Sequence, residues 1–230
     1  MERRNEDGLT EKEFLAEYKP GIYERPSVTV DMLIFALDLE EEETVAELLL
    51  IKRKNHPCIG QWAIPGGFVE MDESLEEAAA RELKEETGLE NICLEQIYTW
   101  GDVKRDPRTR IISVSYMAAI SKAEHIIEAG DDAAEALWFQ VKKQKLSELS
   151  NGATYALTIE NEEEHIFISY RITETYERQG FMWKRDTEAE LLPAIDVDDQ
   201  EILAFDHVYI LNQAMDRLED IDKDYREQLD

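Results

Sequence analysis

Residues 67–89 read GFVEMDESLEEAAARELKEETGL, and the reading of the whole chain turns on this stretch. Ser74 is a good helix N-cap, and Glu77 three residues on completes a capping box. Leu75, Ala79 and Leu83 recur every four residues and make a buried stripe. Gly88 stands where a helix C-cap belongs. On the helix so defined, Glu82 and Glu86 are four apart and Glu85 lies one turn from Glu82, so three carboxylates crowd one edge. Glu73, just before the helix, could fold back toward them. Like charges so placed destabilise unless something positive compensates. Hard oxygen ligands select Mg²⁺, Mn²⁺ or Ca²⁺, and Arg81 could tie the array together through Glu85. Three helical glutamates alone fit a solvated acidic face better than a metal site in a Glu-rich chain.

Outward from the helix, the chain alternates strands and loops. SVTVDMLIFAL over Ser27–Leu37 is a buried strand, and Val45–Arg53 is a second. Further strands are expected near Leu94–Trp100, Ile111–Ile120 and Ala136–Phe139. Ala153–Ile159 and Ile166–Ile172 flank Asn161-Glu-Glu-Glu164 as a hairpin. A last helix is expected from about Ile202 to Leu218, with Leu211, Met215 and Leu218 on one side. Residues 1–25 are polar and peripheral. Many strands around one or two helices indicate an α+β fold.

The 230 residues carry 25 Lys plus Arg against 53 Asp plus Glu, a net charge of −28. A surface that negative repels phosphodiester backbones and anionic lipid. Nucleic acid and membranes are therefore not expected partners. Two cysteines, Cys58 and Cys93, can make neither a disulfide framework nor a thiolate zinc site. The polar start and the short apolar runs lead to the expectation of a soluble, cytoplasmic protein.

The 67–89 stretch resembles the Nudix box: Gly, five residues, Glu, seven residues, Arg-Glu-aliphatic, one residue, Glu-Glu, one residue, Gly-aliphatic. Gly67, Glu73, Arg81-Glu82-Leu83, Glu85-Glu86 and Gly88-Leu89 fill every fixed position. A chance match is on the order of one in a million, so the resemblance outweighs the solvated-face reading. It implies the Nudix fold, an α/β/α sandwich on a mixed sheet, here with an extra C-terminal hairpin and helix. It implies a single domain over 1–230: a core at about 26–145, an insertion or extension at 146–200, and the C-terminal helix at 202–220. It implies an enzyme, a hydrolase acting on a nucleoside diphosphate linked to another moiety. The cofactor would be Mg²⁺, with Mn²⁺ as a substitute. Under the resemblance Glu82 and Glu86 are the principal metal ligands, and Glu85 shares the metal or orients an attacking water. Arg81 and Glu73 hold loop and helix together, with Glu73 also open to reaching a metal, and Gly66 offers a carbonyl.

Outside the box, Pro26–Asp31, Gln61–Gly67, Gly101–Arg110, Ala129–Ala136 and Leu203–His207 look like the ADP-ribose pyrophosphatase branch and the related regulators of NAD metabolism. ADP-ribose, cleaved to AMP and ribose 5-phosphate, is the substrate this implies. The alternatives are an NDP-sugar, a dinucleoside polyphosphate or a damaged NTP, or a ligand-sensing Nudix module without catalysis. Lys104, Arg105, Arg108 and Arg110 form a basic loop on an acidic chain, a plausible phosphate clamp with Arg105 and Arg108 as the leading contacts. A salt-bridged surface loop is the competing reading. Trp62, Phe68 and Trp100 are candidates for stacking a base, each also a candidate core residue, and Phe68 is carried forward as substrate-binding. Asp131 and Asp132, and Glu135 beside them, are candidates for a base outside the box. His207 reads as a capping or core histidine. Analogy with relatives suggests a homodimer.

Overall fold

The computed structural model describes residues 2–38, 45–122, 125, 127, 133–193 and 200–227. Its central strand is β1 (Ser27–Asp38). Val30, Met32 and Ile34 enter one apolar core, and Leu33 and Phe35 enter another on the opposite face. A strand sends successive side chains to opposite faces, so an almost unbroken apolar run must be covered on both.

The first cover is α2 (Leu75–Thr87), whose Ala78, Ala79 and Leu83 join Val30, Met32 and Ile34. Its ends form as the sequence indicates. Ser74 and Glu77 close a reciprocal capping box, and Gly88 ends the helix at φ +75. The second cover is α3 (His207–Glu227), whose Ile210, Leu211, Ala214 and Leu218 join Leu33 and Phe35.

The sheet between them is mixed. β1 runs antiparallel to β2 (Val45–Arg53) and parallel to β6 (Ile111–Ile120), which pairs in turn with β5 (Glu95–Trp100). Two short strands, β3 (Trp62–Ala63) on β2 and β4 (Gly66–Phe68) on β1, carry the chain into the box. The layers form the expected α/β/α sandwich. A short helix, α1 (Glu11–Glu17), with no buried residue, precedes it.

The C-terminal part differs in detail from the expectation. β7 (Ala133–Leu149) is far longer than Ala136–Phe139. Its first half pairs with β2 and its second half with β8 (Gly152–Asn161), so one sheet continues into a meander. The expected hairpin is β8 and β9 (Ile166–Gln179), and a further strand, β10 (Met182–Leu191), completes the edge. The half-buried positions of β10 are Arg185, Thr187, Ala189 and Leu191, too polar to give an apolar alternation. Arg185 enters a buried ion cluster. Lys143 Nζ donates to Glu174 Oε1 at 2.8 Å, Arg185 reaches both Glu174 and Asp216, and Asn212 Nδ2 donates to Glu174 at 2.8 Å.

α3 starts five residues later than expected. Trp62 N–H donates to Ile202 O at 3.1 Å and Ala204 N–H to Trp62 O at 2.7 Å. These bonds hold 202–204 extended against β3, and tertiary pairing overrides local helix preference there.

Candidate active site

The box folds around one guanidinium. Arg81 clasps Glu73 through Nε (3.0 Å) and Nη2 (2.7 Å). Its Nη1 donates to Glu82 at 2.8 Å and Glu85 at 3.1 Å, and Nη2 also reaches Phe68 O at 3.0 Å. Loop, helix and β4 are tied by a single side chain whose five donors suit such a fork. The pairing holds Glu73 well below the carboxylate range, at about 2, first through the Arg81 hydrogen bonds and then through the Glu70 backbone N–H.

Glu82 and Glu86 line a cavity of about 380 Å³. Glu86 is buried, with Gly66 N–H donating to its Oε2 at 2.6 Å. Burial, opposed by that bond and abetted by Glu82 and Asp31, pushes Glu86 up to about 8. Burial also raises Glu82. Two adjoining carboxyls strained toward the neutral form mark a place where a positive charge is wanted. The two glycines make the approach possible. A Cβ on Gly67 would overlap the Glu82 carboxylate, and one on Gly66 would overlap Val30 O.

The rest of the lining is cationic and aromatic. Arg53, Lys54, Arg105 and Arg108 line the cavity together with Phe68 and Phe205. Arg108 lies 5.1 Å from the Phe68 ring centre and 5.7 Å from that of Phe205, and Arg53 lies 5.0 Å from Phe205. Arg108 is held by Asp106 through two hydrogen bonds yet stays 39% exposed. At the floor, Asp31 accepts from Ser113, and Arg105 and His207 lie 3.9 and 3.8 Å away. Burial raises Asp31 and lowers His207 to about 4.

The residues read from the sequence are thus brought together unevenly. Gly66, Phe68, Arg81, Glu82, Glu86, Arg105 and Arg108 share the cavity. Glu73 supports it from behind, and Glu85 is 58% exposed on Arg81. Arg105 is 6% exposed and committed to Asp206 at 2.8 Å through two nitrogens. Arg110 binds the carbonyls of Gly101 and Asp102 and braces its own loop. Trp62 is core, against Phe139, and Trp100 packs half-buried on Tyr98. Glu135 is exposed on β7. Asp131 and Asp132 lie outside the described residues. Asp31, Arg53, Ser113, Phe205, Asp206 and His207 were not read as site residues, although 26–31 and 203–207 stood out by resemblance.

Among the described residues no three acidic, His or Cys side chains are already gathered as a metal cluster. The donor set nevertheless fits a hard divalent cation. Glu82 and Glu86 share one cavity wall with raised affinities for protons, and Glu85 is one helical turn away on a solvent-exposed hydrogen bond.

A NUDIX domain model matches residues 27–158. Fold, site and this match place the chain in the Nudix hydrolase family. It is 39% identical over 139 residues to the ADP-ribose pyrophosphatase of Methanocaldococcus jannaschii, 60% of this chain and 75% of that protein. It is 43% identical over 114 residues to the ADPR responsive transcriptional repressor NtrR of Acinetobacter baylyi, 49% of this chain. That alignment spans only 44% of the repressor's length. A MutT/nudix family protein from Enterococcus faecalis superposes with TM-score 0.65 and 31% identity, covering 92% of this chain and 70% of that one. The NUDIX domain of Shewanella oneidensis NrtR, crystallised with ADP ribose, superposes with TM-score 0.50 and 33% identity over 56% of this chain and 82% of that one.

Proposed function

We propose that the protein is a Mg²⁺-dependent pyrophosphohydrolase that cleaves ADP-ribose to AMP and ribose 5-phosphate. The observation that carries this reading is the arrangement of charge around the cavity. Glu82, sharing Arg81 with two other glutamates, and Glu86, bonded only to a backbone N–H, line the cavity together with guanidinium groups that lie beside aromatic rings. The kinship with an ADP-ribose pyrophosphatase and with an ADP-ribose-bound domain supports the substrate class.

In this reading Glu82 and Glu86, joined by Glu85 and the Gly66 carbonyl, hold the ion. A divalent cation there supplies charge to the diphosphate oxygens and acidifies water. Arg108 takes the phosphates at the mouth, where Asp106 fixes the orientation of its guanidinium, and Phe68 offers an exposed ring face to the base. Arg81 keeps Glu82 and Glu73 in place and does not touch substrate. Asp131 and Asp132 remain the proposed source of a base. Net charge of −28 keeps duplex DNA and anionic membranes off the list of partners. No helix among the described residues is long and apolar enough to cross a membrane. A cytoplasmic homodimer is the assembly we propose.

The test is a hydrolysis screen with Mg²⁺ over ADP-ribose, NADH, NDP-sugars, diadenosine polyphosphates and NTPs, with products identified. The reading predicts AMP and ribose 5-phosphate from ADP-ribose. Cleavage of NTPs alone would reassign the substrate, and no cleavage at all would remove the enzyme. The likeness to a repressor motivates a second reading, an ADP-ribose-sensing module. It predicts saturable ADP-ribose binding without turnover and a sequence-specific gel shift at physiological salt.

A further inference from the structure

The tripeptide Phe205-Asp206-His207, at the entrance to α3, lies 138 residues along the chain from the first glycine of the box yet touches three separate parts of the site. His207 Nδ1 accepts the Ile64 N–H at 2.9 Å, and both residues are buried. The imidazole therefore carries its proton on Nε2, which faces Asp31. Two residues beyond Ile64, the Gly66 N–H donates to Glu86. Asp206 accepts from Nε and Nη2 of Arg105 and so anchors the basic loop. Phe205 lies against Arg53 and Arg108 at the cavity mouth. It does so at φ +50, a left-handed conformation that a bulky residue adopts only under constraint. The backbone pairing of 202–204 with Trp62 supports the same junction.

We infer that Phe205-Asp206-His207 is a latch through which α3 sets the geometry of the glutamate wall and the basic wall together, with His207 as the positioning residue for the Ile64–Gly66 loop. This rests on the hydrolase reading only for its consequence on metal affinity. The hydrogen bond itself matters because a buried N–H left without an acceptor destabilises its segment. The Ile64 amide is bonded to His207 Nδ1, so loss of that acceptor loosens the strand end that delivers Gly66 to Glu86.

A packing role and an acceptor role are separated by choice of replacement. Asn places an amide oxygen close to where Nδ1 stands, whereas Leu fills space without an acceptor. In the full chain, His207→Leu should lose hydrogen-exchange protection across 61–69 and bind Mn²⁺ about tenfold more weakly by electron paramagnetic resonance. His207→Asn should keep the protection and stay within about threefold of the wild type in Mn²⁺ affinity. If His207→Leu fails to fold, His207→Gln replaces it, because its oxygen sits one bond too far out. Wild-type protection and Mn²⁺ affinity in His207→Leu would overturn the latch. Equal impairment of His207→Asn would reduce His207 to packing and overturn it as well. A wild-type chain that binds no Mn²⁺ defeats the metal reading of the site instead, and the exchange pattern still judges the latch.

Discussion

Two charge clusters in this molecule are built from the same side-chain chemistry and come out opposite. In the box, Glu73, Glu82 and Glu85 gather around Arg81, and Glu86 lies one turn from Glu82 with a backbone N–H as its bonded partner. Between the meander and α3, Glu174 and Asp216 meet Lys143 and Arg185, two to two, with Asn212 filling in. The second cluster balances its charges within the protein. The first is short of positive charge, and the deficit falls on Glu82 and Glu86, the two that face the cavity. On the proposed reading, charge balance separates a cluster that holds the fold together from one completed by a ligand.

The sharpest way to break this contrast is to remove one charge from each. Glu86→Gln keeps the shape of the side chain and should lower kcat by roughly two to three orders of magnitude. Its thermal midpoint in EDTA should equal or exceed that of the wild type, because a buried, poorly compensated carboxylate has been neutralised. Lys143→Met should do the reverse. It removes one of the two cations paired with Glu174, which is 3% exposed, and should lower unfolding stability by about 2–3 kcal/mol in a urea titration. The kcat of the folded fraction should stay within about twofold of wild type.

The fold was legible where sequence and neighbours agree. The strand ranges for β2 and β6, and the capped helix α2, follow from apolar runs, a Ser-Glu capping pair and a C-terminal glycine, all local signals. β10 and the second half of β7 escaped because their inward-facing Arg185 and Lys143 are charges that Glu174 and the distant Asp216 satisfy. The glutamate wall was legible because four of its residues lie on one helix and its lead-in. Asp31, Arg53 and His207 were not, since no spacing along the chain brings residue 207 to residue 64.

A smaller effect separates the two arginines of the basic loop. Arg108, 39% exposed at the mouth, should raise KM about tenfold on replacement by alanine while kcat holds nearly constant. Arg105, buried on Asp206, should instead lower thermal stability when replaced. Equal KM effects from both would return Arg105 to the phosphates and weaken the distinction drawn here.

The pH dependence of metal-free stability carries the smallest effect and opposite signs. Glu86 is raised from 4.5 to about 8, so its contribution is full below 4.5 and is lost as pH climbs toward 8. Burial would also raise Glu174, but hydrogen bonds from Lys143 and Asn212 and the charge of Arg185 outweigh it and lower it. Its contribution is present above 4.5 and is lost as pH falls through the lowered value. Urea midpoints across pH 3–9 should show Glu86→Gln flattening the alkaline side and Glu174→Gln the acid side.

The claim that the box cluster is completed by a divalent cation is tested most directly by calorimetric titration of Mn²⁺ into wild type, Glu86→Gln and Glu174→Gln. The account predicts a saturable site in wild type and in folded Glu174→Gln, and its loss in Glu86→Gln. Binding by Glu86→Gln with wild-type affinity, or no binding by the wild type, would contradict it.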